Sequence, residues 1–175
     1  MKLGFLCRAV TLAAWFTLFA AGPIPFAQAD ALVQPKEKPI LTVSGKIGIT
    51  NVDGTAQFDR AMLEGLGMVS FTTTTPWYKD PVKFEGVPLA KLMSAVGATG
   101  QRIVAIALND YSAEVPMEDA LKYQVLVALK RDGEYMPVRD KGPLFVVYPF
   151  DSDPELKAQK FYSRSVWQVS RIEVK

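Results

Sequence analysis

SFTTTTPWYKDPVKFEGVPLAKL, Ser70 to Leu92, is the stretch whose reading decides the fold. It opens on an apolar and β-branched run that reads as a strand and ends in four threonines, Thr72 to Thr75. Pro76 has no amide proton to give a ladder, so it closes the strand. Trp77 and Tyr78 then fall in a loop. A short strand, Val82 to Phe84, leads through Glu85-Gly86-Val87-Pro88 into a helix, and Pro88 suits a first helical position. Leu89, Leu92, Met93 and Val96 recur at helical spacing and form one apolar stripe. Hydroxyls and two large aromatics therefore gather where a strand gives way to a loop, an arrangement suited to binding.

Upstream, Ile40 to Ile49 alternates apolar and polar residues at the strand period. Asn51-Val52-Asp53-Gly54 is a turn before a second strand, Thr55 to Phe58. Asp59 is placed to cap a short helix whose Met62, Leu63 and Leu66 face inward.

Downstream, Arg102 to Leu108 reads as a central buried strand. Asn109-Asp110-Tyr111 is a turn, and Ala113 to Val115 a returning strand. Pro116 starts a short helix with Met117, Ala120 and Leu121 inward. Tyr123 to Lys130 is a strand ending in the hairpin turn Arg131-Asp132-Gly133-Glu134. Leu144 to Tyr148 is buried strand. Phe150 to Gln159 is a polar loop with a helical turn after Pro154, and Val166 to Val174 is one last strand. Short helices inserted between strands, without strict βαβ alternation, predict an α+β class. The expected architecture is a mixed β-sheet or barrel-like core with short inserted helices.

The first 29 residues read as an export signal. Lys2 and Arg8 make a basic start, Ala9 to Ala21 is uncharged, and Ala27-Gln28-Ala29 is a small-x-small cleavage site. A membrane span needs about 20 apolar residues in series, and Gly22, Pro23 and Pro25 end this run too soon. The expected division is a signal peptide over 1–29, a flexible lead-in over 30–39 and one domain over 40–175. The expected location is the periplasm. Removing 29 of the 175 residues leaves 146, enough for one core. Those 146 carry 18 basic and 18 acidic residues, so the basic surplus of a nucleic-acid binder is missing.

The chain has no histidine, and its one cysteine, Cys7, lies in the leader. Zinc or copper sites built from Cys and His, and nucleophile–His triads, are excluded from the mature chain. Carboxylate, lysine or tyrosine chemistry remains.

The order T-x-T-x-P-W, then F-E-G-V-P-L and a helix, then Asn109-Asp110-Tyr111-Ser112, Gly142-Pro143-Leu144 and Arg171-Ile172-Glu173-Val174 resembles the molybdopterin-binding domain of the sulfite oxidase superfamily. The resemblance covers most of the chain after the leader. It implies the sulfite-oxidase type of α+β fold and a pterin ligand. In catalytic members a cysteine near the threonine stretch ligates molybdenum; here threonines stand there, so no molybdenum is expected.

The expected ligand-binding residues are Thr72, Thr74, Trp77, Tyr78, Asp110, Tyr111, Tyr148 and Arg164. Trp77 offers a flat ring for stacking, against the alternative of a core tryptophan. Alternation puts Thr72 and Thr74 on one strand face. A carboxylate at Asp110 accepts two parallel hydrogen bonds, matching the amino group and ring N–H of a pterin; Glu85, Asp151 and Asp153 compete for that role. Arg164 is a basic group for a cofactor phosphate, or a solvated surface residue. The expected function is a periplasmic, non-catalytic binding protein for a pterin-like small molecule. Resemblance to small exported members implies that it passes ligand status to the periplasmic domain of a membrane-bound signalling protein. The alternatives are a molybdopterin-dependent oxidoreductase without the protein thiolate, and an interaction module without a ligand.

Overall fold

The structure, a computed structural model, describes residues 32–175. The expected signal peptide over 1–29, with Cys7 and Ala27-Gln28-Ala29, lies outside the described residues. In chain order the elements are β1 (Leu41–Gly45), β2 (Ala56–Phe58), α1 (Arg60–Gly65), β3 (Val69–Thr73), β4 (Val82–Pro88), α2 (Leu89–Ala95), β5 (Arg102–Ala107), β6 (Ser112–Pro116), α3 (Met117–Lys122), β7 (Leu126–Arg131), β8 (Glu134–Tyr135), β9 (Phe145–Val147), α4 (Gln159–Arg164), β10 (Val166–Trp167) and β11 (Val169–Val174). Val138–Asp140 and Pro154–Lys157 form 3-10 turns.

The strands make two sheets. One has the order β2-β1-β11-β5-β6, with β1 and β11 parallel and its other pairs antiparallel. The other has the order β10-β9-β7-β4-β3, with β8 paired to β7. The α+β class is as expected, but the barrel-like core does not close. The reason lies in the last strand, which the sequence presents as one run. Gln168 adopts φ 55° and breaks it. Val166–Trp167 stays with β9, and Val169–Val174 crosses to β1 and β5.

Three further expectations are corrected. Glu85-Gly86-Val87-Pro88 is strand, so β4 runs on to the start of α2. A register shift falls between Glu85 and Gly86, and a Cβ at Gly86 would lie 2.2 Å from the Val127 carbonyl oxygen. Only glycine allows that approach. β5 is buried on one face only: Ile103, Ala105 and Ala107 are inward, and the residues between them are half-buried. Leu121 is 72% exposed, and Asp119 takes a buried position on α3 instead. One feature was not foreseen, the helix α4.

Other elements follow the sequence closely. Leu89, Leu92, Met93 and Val96 are all buried. Asp132 and Gly133 supply the two positive φ values of the β7–β8 turn. Asp59 caps α1 by accepting from the Met62 amide at 2.9 Å. It also accepts from the amides of Lys36 and Glu37 at 2.8 and 3.2 Å, which docks part of the lead-in. Both sheets contribute to one apolar core, among them Phe58, Ile103 and Ile172 from the first and Phe84, Val127 and Phe145 from the second.

Candidate functional site

The connection from β9 to β10, residues 148–165, reaches most of the residues singled out in the sequence. β3 ends at Thr73 because Asp151 takes over its hydrogen bonds. The Thr73 hydroxyl, on a residue only 1% exposed, accepts from the Asp151 amide at 3.0 Å. Thr74 donates its amide to Asp151 Oδ2 at 2.5 Å and its hydroxyl to Oδ1 at 2.8 Å. Lys157 Nζ lies 2.8 Å from the same Oδ1.

Lys157 first, and then the Thr74 amide, hold the Asp151 carboxyl down at about 2. A depressed carboxylate adds stability above its unfolded-state value and loses it as pH falls through the folded value. Asp151→Asn should therefore lower the urea midpoint relative to wild type at pH 5. The gap should close between about pH 4 and pH 2. A gap that stays constant with pH would show that the ionised carboxylate contributes nothing there.

Trp77 sits over this junction, half-buried. Its ring makes edge-to-face contacts with Phe145, Trp167, Phe150 and Tyr162 at centroid distances of 5.5, 5.7, 6.0 and 6.2 Å. Contacts of this geometry favour the positive ring edge over the negative face. Any ligand ring stacked on Trp77 would share it with these four. Trp167, 36% exposed, carries the cluster to the surface.

Tyr148 and Arg164 converge on Asp119. The Tyr148 hydroxyl and Arg164 Nη1 each donate to Asp119 Oδ2 at 2.7 Å. Tyr148 is fully buried and Asp119 is 8% exposed. Burial, and then the Asp119 carboxylate, push the Tyr148 phenol well above its usual range. This group ties α3 to α4 beneath the connection.

Of the other expected residues, Tyr78, Thr72 and Asp110 lie apart, and Tyr111 touches the connection at Ser163. Tyr78 has its hydroxyl buried with no hydrogen-bond partner among the described residues. Arg131 Cζ and Lys141 Nζ lie 4.9 and 4.7 Å from its ring centroid. Burial raises the Tyr78 phenol. Thr72 is exposed on β3 opposite Lys83. Asp110 takes φ 62° in the turn after β5, and its Oδ1 meets Arg171 Nη2 at 2.5 Å. The Tyr111 hydroxyl reaches the Ser163 carbonyl at 3.4 Å.

The competing carboxylates are thus sorted. Glu85 pairs with Lys83 at 3.3 Å, and Asp153 caps the Pro154–Lys157 turn. Asp151 holds the end of β3. Sequence reading missed Asp119 and the aromatic partners of Trp77. Asp119 looks like an ordinary acidic first-turn residue, and nothing local marks it as buried.

A family model described as "Oxidoreductase molybdopterin binding domain" matches residues 56–151. No curated protein matches the chain. The matched stretch contains both partners of the Thr74–Asp151 contact and stops short of α4, Arg164 and β11.

Proposed function

The chain belongs to the oxidoreductase molybdopterin-binding domain family, and from that premise we propose that it is a non-catalytic binding protein for a pterin-like small molecule. One observation carries the reading. At the end of β3, in the threonine stretch near which the resemblance puts a thiolate, Thr73 is buried and already bonded to the Asp151 amide. Neither cysteine nor histidine occurs in residues 32–175. A molybdenum dithiolene centre takes a soft thiolate donor, so the residues present do not fit the metal. Hard hydroxyls, Thr73 on the Asp151 amide and Thr74 on its carboxylate, are no substitute.

The pterin ring itself needs a flat apolar wall and a small set of polar groups along one edge. Asp110 and Tyr111 keep open surface: the Asp110 side chain is 81% exposed, and Tyr111 is 50% exposed. The leader supports export to the periplasm. The resemblance to small exported members supports relay of ligand status to a membrane-bound signalling partner.

Protein purified from its own periplasm is expected to release a fluorescent pterin-like compound on denaturation, at up to one per chain. Elemental analysis should find no stoichiometric molybdenum. About one molybdenum per chain would replace this reading with the oxidoreductase one.

A further inference from the structure

An edge strand of an open sheet offers unpaired N–H and C=O groups to another chain, and most edges are protected by short length, charge, proline or a bulge. The two sheets end at β2 and β6 and at β10 and β3, with β8 a further short edge on β7. β2, β8 and β10 are only three, two and two residues long. β6 carries the exposed Glu114 and ends on Pro116. β3 has none of these protections. It is five residues long, Val69-Ser70-Phe71-Thr72-Thr73, uncharged and rich in strand-forming types. Its pairing with β4 runs without a register shift, so no bulge turns it away.

The ladder decides which of its groups face outward. Thr72 lies opposite Lys83 on β4. Lys83 donates its amide to Asp132 Oδ1 at 3.0 Å, and its carbonyl accepts from the Asp132 amide at 2.8 Å. Both Lys83 groups therefore point away from β3, which makes Thr72 and Lys83 a non-hydrogen-bonded pair. The Thr72 N–H and C=O in turn point away from β4, and alternation gives Ser70 the same direction. Thr74 is next in that series, and its amide is taken by Asp151. The outward groups of Ser70 and Thr72 meet no backbone partner among the described residues, and both residues are exposed. On the other face Val69 and Phe71 are only half-buried, with Phe71 edge-to-face on Phe84 at 6.2 Å.

The spacing of the open groups is self-complementary. A second β3, antiparallel about a two-fold axis beside Phe71, sets Ser70 opposite the partner's Thr72. Both residues point across the junction, so each of the two symmetry-related pairs exchanges both of its backbone hydrogen bonds. Phe71 meets the partner's Phe71 in the non-hydrogen-bonded position, where side chains approach closest. No charge within the strand opposes the pairing, and the half-buried Val69 and Phe71 gain a covering neighbour.

We propose that β3 is a self-association edge: two copies of this chain pair β3 to β3, antiparallel and centred on Phe71, and join their β3-bearing sheets into one continuous sheet. The contact is isologous, the commonest form of homodimer. It is also small, so the dimer forms and dissociates with concentration.

The experiment is analytical sedimentation of the folded chain from micromolar to millimolar concentration, with amide hydrogen exchange at both extremes. The mass should rise towards that of two chains. The Ser70 and Thr72 amides should exchange about tenfold more slowly at the high concentration, and the Thr74 amide, already held by Asp151, should not change. Ser70→Lys combined with Thr72→Lys should weaken association about tenfold or more, because like charges then face each other across the axis. Ser70→Glu combined with Thr72→Glu should do the same. An equimolar mixture of these two variants should associate again, because opposite charges then face each other. Recovery in the mixture also shows that neither variant fails through misfolding, and melting curves check each alone.

A chain that stays monomeric at millimolar concentration would overturn the proposal and leave the edge to another protein's strand. A dimer whose Ser70 and Thr72 amides gain no protection would overturn it too. So would a dimer that both charged variants form as readily as the wild type.

Discussion

Trp77→Ala should melt about 10 °C below the wild type. The ring contacts four others, Phe145, Phe150, Tyr162 and Trp167, which come from β9, from the connection after it, from α4 and from β10. Truncating a packed tryptophan costs about 3–5 kcal/mol, and the half-buried position puts this one near the lower figure. In a domain of this size, each kcal/mol moves the midpoint by a few degrees, about 2–4 °C at 150 residues. Trp77→Phe keeps an aromatic edge in the cluster and should lose less than half as much. The same variants test ligand stacking. A Trp77→Ala protein that melts like wild type yet binds pterin tenfold more weakly would make Trp77 a ligand residue first and a packing residue second.

Asp119→Ala should be the most destabilising single change among the polar residues, by about 3 kcal/mol or more, measured by urea unfolding. Two donors lose their acceptor at once. The Tyr148 hydroxyl is sealed from water and would be left unsatisfied. The Arg164 side chain, 27% exposed, would lose its counter-charge in a partly buried place. Removing one partner of a buried charged pair costs about 3–5 kcal/mol. Tyr148→Phe leaves Asp119 bonded to Arg164 and removes only one hydrogen bond, so it should cost about 1 kcal/mol. The ordering is the test. If Tyr148→Phe costs as much as Asp119→Ala, the Tyr148 hydrogen bond alone, and not the pairing with Arg164, accounts for what Asp119 contributes.

Much of this molecule was legible in its sequence. The apolar stripe of α2, the Asp59 cap, the Asp132-Gly133 turn and the α+β class all rest on local rules: period, cap chemistry and turn chemistry. Composition likewise places no cysteine or histidine in residues 32–175. The family was legible too, because ordered motifs survive in linear form. Tertiary structure alone decided which face or sheet each segment served. Alternation across Val166–Val174 is compatible with one strand, and only the left-handed turn at Gln168 sends its two parts to different sheets. Asp119 and Leu121 are two residues apart on a six-residue helix, too short for a clear period, and its packing buries the carboxylate and exposes the leucine. Asp151 meets Thr74 across 77 residues of chain, and Asp110 meets Arg171 across 61. Local propensity cannot encode such pairings, because a carboxylate's partner is fixed by how the sheets bring distant segments together.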